Sequence, residues 1–180
     1  MRVVSGKYRG KRFYPPKKFP SRPTTDFAKE GLFNILNNQL NWEEVVVLDL
    51  FAGTGAIGLE CLSRGAKSVL SIEKHPVAIR HLNKIRENFP DEDWRILKKD
   101  VFAFIAENSG PYDLILADPP FDMEGVEKLP DLIFQSSLLS KNGVLVLEHS
   151  KKESFKTNER WIDERNYGGV SFSFFRHEMK

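Results

Sequence analysis

From Val45 onward, short apolar runs recur, and each gives way to a turn and then to a stretch with helical patterning. The runs lie at 45–50, 68–73, 94–98, 112–117 and 143–148, and in Val144-Leu145-Val146-Leu147 every position is apolar. A strand apolar at every position must be covered on both faces, as happens when helices flank a parallel sheet. The intervals 56–64, 76–88, 101–108 and 125–138 are long enough to be those helices. This alternation predicts an α/β fold with a mostly parallel, doubly wound sheet. The end of the chain departs from it. Trp161 to Asn166 and Val170 to Arg176 are separated only by Tyr167-Gly168-Gly169, so they read as an antiparallel hairpin closing the sheet. The expected architecture is Rossmann-like with seven strands, distinguished from a plain dinucleotide-binding sheet by that hairpin.

The first residues differ in character. Residues 1–22 hold eight cations (Arg2, Lys7, Arg9, Lys11, Arg12, Lys17, Lys18 and Arg22) and no acid, whereas the whole chain has 27 cations against 25 acids. The rest is therefore acidic. A basic arm on an acidic body suits a polyanionic partner, because cations that displace phosphate counterions gain affinity whatever the sequence. Tyr8, Phe13 and Tyr14, interleaved with those cations, add stacking surface. The plainer reading is a solvated tail. Arg2-Val3-Val4-Ser5 and Arg12-Phe13-Tyr14 read as a hairpin turning near Gly6 or Gly10. Pro15, Pro16, Pro20 and Pro23 are expected to hold residues 15–24 extended. Thr24 or Thr25 can cap a helix running to about Asn38, with Phe27, Ala28, Leu32, Ile35 and Leu36 on one stripe. The expected division is a basic arm over 1–24 and an α/β domain over 25–180.

Asp49-Leu50-Phe51-Ala52-Gly53-Thr54-Gly55-Ala56-Ile57-Gly58 falls at the first strand-to-helix turn, where glycines let the backbone approach a ligand closely. Phosphate-binding sites use similar turns, so the glycines alone decide little. Asp49 decides more. A carboxylate at the strand end attracts a cationic ligand and repels a pyrophosphate. The amino-acid end of S-adenosylmethionine (SAM) has an ammonium beside a sulfonium, and Asp49, Phe51, Ala52, Gly53, Thr54 and Gly55 are the candidates to hold it. Glu73, ending the next strand, can accept from two ribose hydroxyls, a role shared with NAD proteins. Asp100 ends the third strand. It can accept from an adenine amine while Val101 or Phe102 packs on the ring, and it is equally suited to cap the following helix. His75 reads as an exposed turn residue. Cys61, the only cysteine, reads as a small buried thiol in a helix.

Asp118-Pro119-Pro120-Phe121 follows the fourth strand, at the edge where open parallel sheets bind ligands. The prolines have no N–H, so Asp118 and the Pro119 carbonyl form a purely accepting edge. Such an edge suits a neutral amine on a nucleobase, whose lone pair is delocalised into the ring. Two acceptors gripping its hydrogens favour the pyramidal form, and the Asp118 carboxylate stabilises positive charge arriving at nitrogen. Phe121 can stack on a base taken out of its helix. A rigid turn that merely opens a loop is the alternative for the tetrapeptide by itself.

Together these residues resemble the RsmD-type methyltransferases, which methylate the N2 amine of a guanine in small-subunit (16S) ribosomal RNA. The similarity runs through Arg2-Val3-Val4-Ser5-Gly6-Lys7-Tyr8-Arg9-Gly10-Lys11, Arg22-Pro23-Thr24-Thr25-Asp26 and Glu30-Gly31-Leu32-Phe33-Asn34-Ile35-Leu36. It continues in Asp49 to Gly58, Leu59-Glu60-Cys61-Leu62-Ser63-Arg64-Gly65-Ala66 and Asp118 to Phe121. The tetrapeptide is shared with many amino-methyltransferases, whereas the Arg-Pro-Thr and Ser-Arg-Gly-Ala segments are more specific. The resemblance implies a class I SAM-dependent methyltransferase fold, SAM as cofactor, and Asp118, Pro119, Pro120 and Phe121 as the catalytic loop. It also implies that Arg22 and Thr24 lie near the target pocket and that Glu30 faces it from the first helix. Chemistry alone leaves Arg22 as a phosphate contact and Glu30 as a surface charge. The arm cations Arg9, Lys11 and Arg12 would then contact RNA. The family usually has Arg where this chain has Phe27, which bears on RNA docking but not on the chemistry.

Three other readings compete. A DNA or RNA adenine-N6 methyltransferase uses the same tetrapeptide, but the DNA enzymes usually carry a further target-recognition domain of roughly a hundred residues. A non-catalytic RNA-binding assembly module would not need the acids that are present. An NAD-dependent oxidoreductase is opposed by Asp49 and by the lack of an evident hydride-transfer acid or base. No apolar run approaches the roughly 18 residues of a membrane span, and no secretory leader is evident. The expected setting is the cytoplasm. The expected partner is ribosomal RNA, within an assembled or assembling small subunit, met by a monomer that uses no metal.

Overall fold

A computed structural model describes residues 1–20, 24–107 and 110–177. Its seven strands are β1 (Val46–Leu50), β2 (Ser68–Glu73), β3 (Trp94–Lys98), β4 (Tyr112–Ala117), β5 (Leu139–Ser150), β6 (Trp161–Tyr167) and β7 (Val170–Phe175). They form one sheet in the order β3-β2-β1-β4-β5-β7-β6. The first five pair in parallel, and β7 runs antiparallel to both β5 and β6. The Rossmann-like sheet with its closing hairpin is thus as the sequence predicts. Strand order reverses between β1 and β4, and this switch point opens a crevice at their carboxyl ends.

The helices are α1 (Asp26–Asn37), α2 (Ala56–Ser63), α3 (Pro76–Arg86), α4 (Val101–Glu107) and α5 (Leu129–Gln135), with single 3-10 turns at Trp42–Glu44 and Val126–Lys128. One core, on the face of α1, α2 and α3, gathers Leu32, Phe33, Leu36, Val47, Leu59, Leu62, Val69, Leu82, Val146, Phe172 and Phe174. The other, on the face of α4 and α5, gathers Leu48, Leu50, Phe104, Ile115, Leu129, Ile133, Leu145 and Leu147. Consecutive residues of β1 and β5 go to opposite cores, as the period of a strand requires. Among the described residues no helix is long and apolar enough to cross a membrane.

Four expectations need correcting. The interval 125–138 is not one helix. Gly125 is left-handed, a 3-10 turn follows, and α5 starts only at Leu129 because Pro130 is tolerated in a first turn and nowhere deeper. β5 begins at Leu139, ahead of the expected 143. Phe27 is not on the buried stripe of α1. It is 67% exposed and meets Tyr167 edge-on at 5.7 Å, while Ala28, Leu32, Phe33 and Leu36 supply the buried face. Residues 15–20 are not extended throughout, since the chain turns at Lys17-Lys18.

The N-terminal arm closes as a hairpin with a single antiparallel bridge, Arg2 to Arg12, and a turn over Ser5–Gly10. Glu60, fully buried in α2, fixes it by accepting from the Val4 and Ser5 N–H groups at 2.9 and 3.0 Å. Gly6, at φ 79°, sits so close to the Ser63 carbonyl that a Cβ would lie 1.8 Å from its oxygen, so only glycine fits. Val3 is buried in the core of α1 and α2. The arm is packed on the domain.

Candidate active site

The glycine turn lies between β1 and α2. Phe51 takes φ 62°, a left-handed conformation that costs a non-glycine residue of order 1–3 kcal/mol and concentrates at functional sites. Gly53 and Gly55 follow at φ 51° and 77°. The turn is pinned by Ala52 N–H donating to the Ile72 carbonyl (3.0 Å) and Gly55 N–H to the Ala52 carbonyl (2.8 Å). Ala52 and Thr54 are buried beneath it.

Glu73 ends β2 as expected, and its carboxylate binds the turn. Oε2 accepts from the Gly53 N–H at 2.9 Å, and Oε1 from the Lys74 and His75 N–H groups at 2.8 and 2.7 Å. His75 is exposed and caps α3, its Nδ1 accepting from the Val77 N–H. Asp100 caps α4, Oδ1 accepting from the Phe102 and Ala103 N–H groups, while Oδ2 faces Lys74 Nζ at 3.4 Å. Val101 is buried in the core of α4 and α5, and Phe102 is half-buried against the same core.

Asp49 is the penultimate residue of β1, not its last, and it is almost wholly buried. Its Oδ2 accepts from Ser71 Oγ at 3.2 Å, and that oxygen accepts from the Trp94 indole N–H at 3.0 Å. α2 approaches so closely at Gly58 that a Cβ there would lie 2.9 Å from Asp49 Oδ2. Burial pushes the Asp49 carboxyl up to about 7, the Asp118 and Glu73 charges add to this, and the Ser71 hydrogen bond opposes it.

Asp118 follows β4 and, with Asp49 and Glu148 of β5, lines a cavity of about 20 Å³, room for one water. Glu148 is the residue that sequence reasoning missed. The remaining wall is Leu32, Ile57, Leu116, Ala117, Val146 and Phe172. Pairing of Leu116 with Val146 and of Ala117 with Leu147 sets Asp118 and Glu148 side by side on the next rung. Thr24 Oγ1 stands between them, 3.5 Å from Asp118 Oδ2 and 3.2 Å from Glu148 Oε2. Burial raises both carboxyls well above the usual range, and for Glu148 the Asp118 charge raises it further. The signal for Glu148 was an acid directly after the apolar run of β5. Pro119 is buried, whereas Phe121 is 58% exposed, its ring open to stacking.

Of the remaining candidates, Arg22 lies outside the described residues, and Glu30 is an exposed residue of α1. Arg9, Lys11 and Arg12 are exposed on the arm. Lys11 Nζ lies over the Tyr8 and Phe89 rings, 5.0 and 4.8 Å from their centroids. Arg12 belongs to a groove of about 660 Å³ between the arm and α3, lined by Arg12, Phe13, Tyr14, Arg80, His81 and Lys84 among others, with no acid among its described lining residues. Tyr14 is 78% exposed there.

The site's donors and acceptors fit SAM. Glycines take the left-handed positions of the turn after Phe51, Asp49 stands next to the end of β1, Glu73 ends β2 and Asp100 lies two residues past β3 rather than at its end, and the cavity beside Asp118 holds carboxyls and no cation among its described lining residues.

A family model described as "Conserved hypothetical protein 95" matches residues 1–176. The chain is 29% identical to Ribosomal RNA small subunit methyltransferase D of Haemophilus influenzae, over 98% of this chain and 94% of that one. It is 28% identical to the protein of the same name from Escherichia coli (strain K12), over 100% and 91%. The solved structure of the Escherichia coli protein yhhF superposes with a TM-score of 0.87 at 27% identity, covering 100% of this chain and 99% of that one.

Proposed function

This chain belongs to the family described as conserved hypothetical protein 95, and from that premise we propose that it methylates the exocyclic N2 amine of a guanine in small-subunit ribosomal RNA, with SAM as donor. The observation that carries the reading is Asp118, placed at the carboxyl end of β4 on a cavity beside Asp49 and followed by two prolines with no N–H to offer. The relatives' names support rRNA as the substrate.

SAM, when bound, supplies an electrophilic methyl group on a cationic sulfur. The chain's residues do the rest. Asp49, through its buried link to Ser71 and Trp94, sets the negative floor of the crevice beside the glycine turn. Glu73 holds that turn through Gly53 and, with three of its acceptor sites taken by backbone N–H groups, keeps one on Oε2 for a ribose hydroxyl. Asp118 and the Pro119 carbonyl take the two amine hydrogens, which orients the nitrogen lone pair, and the Asp118 carboxylate stabilises the charge that arrives there. Phe121 covers the extruded base. The groove of Arg12, Arg80 and Lys84 tracks the RNA backbone, Tyr14 offers a stacking face within it, and the arm over 1–24 serves as the RNA contact.

The test is incubation with labelled SAM and, separately, ribosomal RNA, small subunits lacking the modification, and duplex DNA. Label recovered from RNA as N2-methylguanine is the expected result. Label in DNA as N6-methyladenine overturns the reading.

A further inference from the structure

Two carboxyls, Glu148 buried and Asp118 half-buried, face one hydroxyl and are short of a proton. Thr24 Oγ1 has a single hydrogen to donate, yet it stands 3.5 Å from Asp118 Oδ2 and 3.2 Å from Glu148 Oε2. If both carboxyls were ionised, one would face the hydroxyl oxygen lone pair to lone pair, and two like charges would share a poorly solvated site. Among the described lining residues there is no counter-charge. β1 contributes a third acid, Asp49, while α1, α2 and β7 contribute only Leu32, Ile57 and Phe172, so the described lining residues include no cation.

We propose that Glu148 is a positioning residue that holds one proton and, through Thr24, keeps Asp118 anionic and correctly turned. The chain of donation runs from the Glu148 carboxyl O–H to Thr24 Oγ1, and from the Thr24 hydroxyl to Asp118 Oδ2. Every donor then has an acceptor. Oδ1 of Asp118 is left free toward the amine, with a full negative charge. This deepens the methyltransferase reading and rests on it, because it states how the reacting carboxylate is kept ionised in a site whose burial favours its neutral form. It also limits the working range at both ends. In acid a second proton neutralises Asp118. In alkali Glu148 ionises, Thr24 can satisfy only one of the two carboxylates, and Asp118 loses its fixed orientation.

The test compares wild type, Glu148→Gln and Glu148→Ala. The glutamine amide copies the protonated carboxyl, since its N–H can donate to Thr24 but cannot ionise. Single-turnover methylation of RNA is measured between about pH 6 and 9. Wild type is expected to fall at both ends. Glu148→Gln is expected to keep the acidic fall and lose the alkaline one, with a near-normal rate at neutral pH. Glu148→Ala is expected to be slow throughout. A purely structural role predicts lowered rates with an unchanged profile, and that outcome overturns the proposal, as does a glutamine variant as slow as the alanine one. Infrared spectroscopy of the protein without cofactor gives a reading independent of turnover. A protonated-carboxyl band at neutral pH should be diminished by Glu148→Gln, and a band the substitution leaves unaltered also overturns the proposal. A wild type that transfers no methyl to RNA while showing that band refutes the functional reading and leaves the shared proton standing.

Discussion

Lys29 Nζ lies 3.7 Å from Glu60 Oε2 with both side chains wholly enclosed, Lys29 1% and Glu60 0% exposed. Burial lowers the Lys29 pKa and the Glu60 and Asp26 charges raise it again, with burial the larger effect. Glu60 also binds Arg64 Nη2 at 3.0 Å and the Val4 and Ser5 N–H groups, so one carboxylate ties α1, α2 and the arm together. Glu60→Ala would leave the Val4 and Ser5 N–H groups without their acceptor and Lys29 without its buried carboxylate, with only the Arg2 carbonyl and Asp26 still in reach among the described residues. Breaking one partner of a buried pair costs about 3–5 kcal/mol. Urea denaturation should therefore show a fall of that size. A loss below about 1 kcal/mol, the value of an exposed pair, would show that water reaches the site.

The carboxyls at the crevice make the protein less stable in alkali. Asp49 is pushed up to about 7, and Asp118 and Glu148 are raised as well, whereas in the unfolded chain they titrate near about 4. From about pH 4 upward the folded protein holds more protons than the unfolded one, so unfolding free energy declines as pH rises, levelling off once the folded groups have ionised near and above 7. Thermal melts of the cofactor-free protein at about pH 6 and pH 8 should show the lower midpoint at pH 8. Asp118→Asn should narrow that gap while lowering methyl transfer about 10²-fold or more, the size of effect seen on removing one electrostatic contact to a transition state. A gap of the opposite sign would show these groups ionised at low pH.

What could be read from the sequence, and what could not, separates by range. The strands were legible because Val144 to Leu147 is apolar whatever lies around it, and Asp118-Pro119-Pro120 was legible because proline fixes local geometry by itself. The break before α5 was equally local, written in Pro130, and was overrun by the apolar pattern around it. Glu148 was legible only as an acid closing an apolar run, not as a partner of Asp118. Its meaning comes from the β4–β5 register, which sets it beside Asp118, and from Thr24, 124 positions away. Glu60 shows the same limit, since an acid inside an apolar helix is explained only by Lys29, Arg64 and the arm. Phe27 fitted the apolar stripe by spacing, yet it is exposed and meets the edge of Tyr167, the last residue of β6, which packs on the rim of the core.

Gly55 sets the geometry of the turn. At φ 77° it is in the left-handed region, and a Cβ would lie 2.6 Å from Leu82 Cδ2 and 3.3 Å from two ring atoms of Trp94. Leu82 can yield, but the indole is held through Ser71 and cannot move freely. Gly55→Ala therefore carries the left-handed penalty of roughly 1–2 kcal/mol and shifts the turn away from its conformation. Calorimetric titration with S-adenosylhomocysteine should show affinity reduced about tenfold or more, the equivalent of about 1.4 kcal/mol. Unaltered affinity would mean that this backbone does not contact the cofactor.

The groove between the arm and α3 makes a prediction that separates RNA docking from mere solubility. Arg12 approaches it from the arm, and Arg80 and Lys84, one helical turn apart, approach it from α3. Because α3 starts just after Glu73, a strand lying in the groove leads toward the crevice. Each phosphate neutralised adds about 0.7–0.9 to the slope of log affinity against log salt. Arg80→Ala with Lys84→Ala should lower that slope by about 1.4–1.8 and weaken RNA binding most at low salt, without changing cofactor affinity. Lys141→Ala, on an exposed part of β5 near its start, serves as the control and should leave the slope as it is. Tyr14→Ala should weaken binding by about 1–3 kcal/mol, the value of one lost base–aromatic stack, with no effect on the slope. Equal slopes for wild type and the α3 double variant would show that RNA is held elsewhere on the arm and that these cations only solvate the surface.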